Sequence, residues 1–173
     1  NFSEIIKINV KAEELGFVDS PLYSLAECFL DYEHMEAFGI YDEDILIGFA
    51  SIYFDGVFGQ IINFLIADHF QNKSYGRQAL EDLLDMFKDT YKVNTVSVGI
   101  HKGNKKAFSF WERLGFVETC NIEGDYEYFR KALREIKISD ELSLVNYFPA
   151  YNVSLKWYRD QETVKMVASA PSF

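Results

Sequence analysis

The segment Gln71-Asn72-Lys73-Ser74-Tyr75-Gly76-Arg77 joins an apolar run, Ile61-Ile62-Asn63-Phe64-Leu65-Ile66, to Ala79, Leu80, Leu83, Leu84 and Phe87, which recur at helical spacing. The run is short and bounded and reads as a buried strand, and the residues after it read as a helix packed on that strand. A strand, a tight turn and a helix start therefore follow one another. The first N–H groups of such a helix have no carbonyl partner. With the positive end of the helix dipole, and with Lys73 and Arg77 beside them, they form a site for a phosphate or pyrophosphate. Gly76, lacking a side chain, is expected to let the backbone close on that anion.

A second segment, Asn104-Lys105-Lys106-Ala107-Phe108-Ser109-Phe110-Trp111-Glu112-Arg113-Leu114-Gly115-Phe116, follows the alternating run Thr95-Val96-Ser97-Val98-Gly99-Ile100. The two segments together resemble the GNAT family of N-acetyltransferases. In that family the acetyl-CoA turn runs Gln/Arg-x-x-Gly-x-Gly/Ala, and the later helix runs Asn-x-x-Ala-x-x-x-Tyr-Glu-Lys-x-Gly-Phe. The resemblance implies acetyl-CoA as co-substrate and no metal. It implies a pyrophosphate turn formed by Gln71, Lys73, Ser74, Tyr75, Gly76 and Arg77, a strand end at Leu65 and Ile66 whose backbone pairs with the pantetheine arm, and a cofactor contact at Asn104. Ser74 stands where the family has its first glycine, a mild change at negative φ and a restrictive one at positive φ. Trp111 stands in the cofactor segment where many members have a tyrosine that protonates the departing thiolate. An indole N–H donates a hydrogen bond but is no usable acid, so another group must do that work or water must.

Direct transfer from a thioester to an amine requires a polarised carbonyl, a neutral amine and an exit for the thiolate. Backbone near Leu65 and Ile66 can donate to the carbonyl as charge develops. A primary alkylamine titrates near ~10.4 and is mostly protonated at neutral pH, so a carboxylate must accept its proton directly or through water. Glu27, Asp31 and Glu33 are the candidates for base or amine recognition, with Glu36 beside them. Glu27 and Asp31 are four apart and are expected to share a helix face, where a cation between them would relieve their repulsion. A solvent-facing role is the competing reading for each. His101 is a further candidate base or relay, weighed against a structural role in its loop. Tyr126 and Tyr128 are candidate acids in place of the missing tyrosine; one is expected on each face of its hairpin, so that at most one ring is well placed. Cys28 and Cys120 need no role in such a transfer and read as small buried hydrophobes.

These residues need positioning elements. Glu4-Ile5-Ile6-Lys7-Ile8-Asn9-Val10 reads as a first strand, Ala12 to Val18 and Leu22 to Tyr32 as helical, with Ser20-Pro21 as the break and start signal between them. Gly39 to Tyr41 and Ile45 to Phe54 read as a strand pair through Asp42-Glu43-Asp44, and Phe116 to Asn121 with Tyr126 to Ala132 as a closing hairpin through Glu123-Gly124-Asp125. The order suits the mixed α/β architecture that the resemblance implies, a mixed central β-sheet flanked by helices on both sides. Ile8-Asn9-Val10-Lys11, Gly16-Phe17-Val18-Asp19-Ser20, Tyr23-Ser24-Leu25-Ala26-Glu27, Phe38-Gly39-Ile40-Tyr41 and Ile47-Gly48-Phe49 look like bacterial spermine/spermidine acetyltransferases of the GNAT superfamily. Residues 1–132 are thus expected to form an acetyltransferase domain. Residues 133–173 read as an extension: a docked arm, a homodimerisation element or the start of a truncated second module whose Trp157, Tyr158 and Val164 need cover.

The charge pattern points the same way. Of 173 residues with a net charge of −10, the stretch from Ala12 to Asn72 contains neither Lys nor Arg, whereas basic residues return from Lys73 onward, in or beside the two cofactor segments. A basic side for a polyanion and an acidic side for a small cationic amine follow, with solubility as the competing account of the acidic side. Such a field repels nucleic acid. No apolar run approaches the roughly 20 residues that span a bilayer. The 2 cysteines lack metal-like spacing and no charged-then-apolar leader opens the given sequence, so a reducing, cytoplasmic setting is expected.

Overall fold

The computed structural model describes residues 2–137 and 143–145, with side chains described through residue 134. Six strands form one mixed sheet: β1 (Met35–Asp42), β2 (Ile45–Phe54), β3 (Phe58–Ile66), β4 (Thr95–His101), β5 (Val117–Glu123) and β6 (Tyr126–Ala132). Their order is β1-β2-β3-β4-β6-β5, and β3–β4 is the parallel pair among antiparallel neighbours. The parallel step needs a crossover, which α3 (Tyr75–Asp89) supplies. The other helices are α1 (Phe2–Ile5), α2 (Pro21–Leu30) and α4 (Lys105–Arg113). Two short strands, β7 (Glu135–Lys137) and β8 (Ser143–Val145), pair as a separate hairpin. Of the 133–173 extension, Trp157, Tyr158 and Val164 lie outside the described residues.

Strand β1 begins at Met35, four residues before the expected Gly39, and three boundaries earlier in the chain also differ from expectation. Residues 4–10 form no strand: α1 occupies the start, and the following backbone is spent on the β3–α3 connection, where Asn9 O accepts from the Asp68 N–H and Lys11 pairs with Asp68. Helix in 12–18 is confined to a short 3-10 turn, Ala12–Glu14. The next helix stops at Leu30, and Asp31 caps it with non-helical φ −126° and ψ 53°. Its start is as read: Ser20 Oγ accepts from the Tyr23 N–H, and Pro21 opens the first turn, where its missing N–H costs nothing.

The two faces of the sheet differ in chemistry. On one, Leu80, Leu83, Leu84 and Phe87 of α3 and Trp111 of α4 pack against Ala50, Ile52, Ile61, Val96, Val98, Ile100 and Phe129 in a single apolar core. Alternation sends the intervening residues to the opposite face. There α2 lies over Ser51 and Asn63, with Ser24 inside the contact, and all three are buried.

One irregularity shapes β3. Ile52 pairs with Ile61 but Ser51 pairs with Asn63, so Ile62 is an extra residue, a β-bulge. The bulge preserves facing on both sides of itself: Ile61 joins the apolar core, and Phe64 meets Phe110 and Trp111 on the same face. It also bends the strand. Parallel pairing with β4 ends at Ile61↔Val98, directly before the bulge. Beyond that point β3 and β4 no longer pair, which leaves a gap in the ladder between Asn63–Ile66 and Gly99–His101.

Candidate active site

The gap exposes backbone of a defined kind. The Ala67 N–H donates to Ile47 O, and the antiparallel ladder alternates from there, so Leu65 turns its groups toward β2 while Phe64 and Ile66 turn theirs toward the gap. Of the two residues expected at this strand end, Ile66 therefore presents its N–H and C=O, and Leu65 contributes a buried side chain. The Ile66 carbonyl is already occupied by Gln71 Nε2 at 3.0 Å.

The turn that follows supplies the helix start. Asn72 and Ser74 both have positive φ, 62° and 67°, and Ser74 occupies the N-cap of α3 without a side-chain capping bond. The serine thus stands in the conformation where the family's glycine is free of strain, at a cost of about 1 kcal/mol. The N–H groups of Tyr75 and Gly76 precede the first intrahelical acceptor and are available to an anion. Gly76 needs correction. A Cβ there would meet Ile66 Cγ1 and the Phe110 ring at 3.6 Å, an ordinary contact, so its missing side chain faces the strand and α4, not the anion.

The other cofactor candidates are partly committed elsewhere. Gln71 Nε2 also donates to Glu14 Oε2 at 2.8 Å, and Lys106 Nζ donates to Glu14 Oε1 at 2.7 Å, so Glu14 ties the N-terminal segment to the turn and to α4. Burial raises the Glu14 pKa, but hydrogen bonds from Lys106 and Gln71 and the charges of Lys106 and Lys11 outweigh it and hold the carboxyl below its ordinary range. Arg77 pairs with Glu81 one turn along α3, and Lys73 lies 5.4 Å from the Phe70 ring centroid. Tyr75 donates to Asp42 Oδ2 at 2.6 Å, which raises its pKa. Asn104 caps α4 by accepting from the Ala107 N–H. Trp111 is 5% exposed and packs edge-on against Phe64, Phe110 and Phe116, so its indole is a core element. That packing is a physical reason for tryptophan at a position where the resemblance implied tyrosine.

Across the gap, on the α2 face, lie the polar candidates. Tyr126 and Tyr128 share this face, as residues two apart in a strand must, and both rings border Gly99; the expectation of one ring per face is corrected. Tyr128 donates to Glu123 Oε2 at 3.1 Å, and burial with that hydrogen bond raises its pKa, making it a poorer acid toward a thiolate. The Tyr126 ring stands edge-on to His101 at 5.6 Å. His101 Nδ1 accepts from the Gly103 N–H at 3.0 Å, which in the neutral ring leaves the proton on Nε2 and makes that nitrogen a donor.

The carboxylates separate. Glu27 turns toward the sheet, and its Oε2 is buried without a hydrogen-bond partner among the described residues. Burial, with Asp19 adding to it, pushes its pKa up. Asp31 does not share its helix face, because α2 has ended, and it bonds His34 Nδ1 at 2.9 Å. Glu33 is exposed in the turn before β1, and Glu36 accepts from the Tyr91 hydroxyl. Glu36 pairs with Ile52, at the still-paired end of the sheet. Sequence reasoning missed Glu14, Ser51 and Asn63; the one available signal was Asn63, a single amide inside an apolar run.

The acetyltransferase (GNAT) family model matches residues 2–116. A probable spermine N(1)-acetyltransferase from Bacillus subtilis subsp. natto is 24% identical over 147 residues, covering 79% of this chain and 93% of that protein. Among solved structures, PaiA N-acetyltransferase from Thermoplasma acidophilum in complex with coenzyme A superposes with a TM-score of 0.55 at 17% identity, over 64% of this chain and 68% of that one. The dodecameric spermidine N-acetyltransferase from Vibrio cholerae does so with a TM-score of 0.54 at 20% identity, over 65% and 72%.

Proposed function

We propose, from the premise that the chain belongs to the acetyltransferase (GNAT) family, that it moves an acetyl group from acetyl-CoA to a primary amine of a small polyamine such as spermidine or spermine. The observation that carries this reading is the gap itself. Backbone of Phe64 and Ile66 is turned into a slot that has the start of α3 beside Ile66 and the polar side chains of His101, Tyr126 and Tyr128 across it. Acetyl-CoA supplies a thioester. The N–H groups of Tyr75 and Gly76, with Lys73, would hold its pyrophosphate, and the Ile66 N–H would polarise its carbonyl.

A neutral amine then forms the C–N bond as the C–S bond breaks. The proton lost by the amine passes to water at the gap, and Glu27, whose carboxyl pKa is raised by burial, serves amine recognition, the other role expected of it. The thiolate takes a proton from Tyr126 or from water, as Tyr128 is committed to Glu123 and Trp111 to the core. Asp31, Glu33 and Glu36 lie toward the paired end of the sheet, away from the gap, and add only long-range negative field. Cys28 is half-buried and Cys120 exposed, which corrects the expectation of two buried cysteines; both are free and take no part, which suits a reducing cytoplasmic setting. No helix among the described residues is long and apolar enough to cross a membrane.

The test is acetyl-CoA consumption with a panel of amines: spermidine, spermine, an aminoglycoside and a peptide with a free N-terminus. Turnover of polyamines with the highest kcat/KM supports the reading. Turnover confined to the peptide or aminoglycoside would replace the acceptor, and binding of acetyl-CoA without any turnover would leave an acyl-CoA-binding module.

A further inference from the structure

Beneath α2 three buried side-chain oxygens lack a hydrogen-bond partner among the described residues. Ser51 is 0% exposed and Asn63 is 3% exposed, and they sit directly opposite one another on β2 and β3. Asn63 Nδ2 donates to Asp19 O at 2.7 Å and to Ser24 Oγ at 3.1 Å, which turns the amide into the layer between sheet and helix. Glu27 lies one helical turn after Ser24, on the same side of α2. In this layer Ser51 Oγ, Asn63 Oδ1 and Glu27 Oε2 are buried, and none has a hydrogen-bond partner among the described residues.

Unmatched buried oxygens are costly, and three in one layer, of which Asn63 Oδ1 and the Glu27 carboxylate can only accept, call for a donor with several hydrogens. No Lys or Arg occurs between Ala12 and Asn72 to provide one from this part of the chain. An alkylammonium carries three N–H donors and a positive charge that answers Glu27. We propose that Glu27, Ser51 and Asn63 form a subsite for the ammonium group of a di- or polyamine that does not react, setting the enzyme's preference for amines with a second cation. The inference rests on the amine-acetyltransferase reading and adds the residues that select within it. Asn63 follows the bulge and precedes Ile66 by three residues, so the subsite lies about 10 Å along β3 from the N–H expected to meet the thioester. A chain of a few methylenes spans that length with its far amine at the gap.

The deciding experiment compares spermidine with n-propylamine, which has no second cation, as acceptors for wild type, Ser51→Ala and Glu27→Gln. Ser51→Ala removes one unpartnered hydroxyl and should leave the thermal unfolding midpoint unchanged or higher. It should raise KM for spermidine about tenfold, the worth of one hydrogen bond to a charged group, while KM for n-propylamine and acetyl-CoA affinity stay put. Glu27→Gln should raise it further. Wild-type KM for spermidine in both variants would overturn the subsite and leave the acetyltransferase reading intact. Absence of turnover with any amine would overturn that reading instead. Calorimetric titration of spermidine into wild type and Ser51→Ala then decides the subsite by itself: tenfold weaker binding to the variant supports it, and equal affinity or no binding to either sinks it.

Discussion

The two faces of this sheet are built from the same strands yet solve opposite problems. The face under α3 and α4 is filled with Phe87, Leu80, Trp111 and Phe129, none more than 5% exposed. The face under α2 buries Ser24, Ser51 and Asn63 and leaves oxygens unmatched. Free energy for folding comes mainly from the first face, since apolar burial contributes in proportion to area. The second gives up some of that stability, in the subsite proposed above for the sake of holding an ammonium group. The division shows why a substitution should be read by its face before its residue type.

The largest effect should come from the apolar face. Phe87→Ala should lower the free energy of unfolding by about 3–5 kcal/mol in denaturant titration, by lost burial plus a cavity. A loss under 1 kcal/mol would mean that α3 is not the main packing element. Next is the anion site at the gap's mouth. Ser74→Asp places a carboxylate where φ is already left-handed and the residue is exposed, so the fold should hold while acetyl-CoA affinity falls about 100-fold by calorimetry, or about 2.7 kcal/mol. Unchanged affinity would remove the pyrophosphate from the start of α3.

Two glutamates give a comparison of sign. Glu27 has a raised pKa in the folded protein, so its contribution to stability is fully present below the unfolded-state value and is lost as pH rises through the folded one. Glu14 has a lowered pKa, so its contribution is present above the unfolded-state value and is lost as pH falls through the folded one. At pH 7, Glu27→Gln should therefore unfold at a higher temperature than wild type. Glu14→Gln should lose about 1 kcal/mol, since its partner Lys106 is half in solvent. Both differences should fade in acid, and melting curves from pH 3 to 7 would show it. Two shifts of the same sign would end the contrast. The smallest effect is conformational: Ser74→Gly should stabilise the turn by about 1 kcal/mol, and a loss would mean that the serine side chain holds the turn.

Much of the apolar face could be read from the chain. Leu80, Leu83, Leu84 and Phe87 show their helix by spacing alone, and the alternation Val96, Val98, Ile100 shows its strand. The turn from β3 into α3 was legible as well, because a strand, a turn and a helix start are local events. The α2 face was not, because its partners lie far apart in sequence. Asn63 meets Ser24 across 39 positions, and Lys106 meets Glu14 across 92. Four residues of spacing between Glu27 and Asp31 implied one helix face only while the helix continued, and it ends between them. Ile5, Ile6, Ile8 and Val10 carried the composition of a strand, but strands exist by pairing, and the backbone of this segment bonds to the β3–α3 connection.

Ile62 is a single residue too many. A sequence tuned only for regular pairing would omit it, letting β3 run straight and letting its hydrogen bonds to β4 continue past Val98. That molecule would gain a longer ladder and lose the slot. Any effort to harden this protein by idealising its strands thus faces a hidden trade, because the most obvious flaw in the sheet is the opening through which substrate and co-substrate would have to meet.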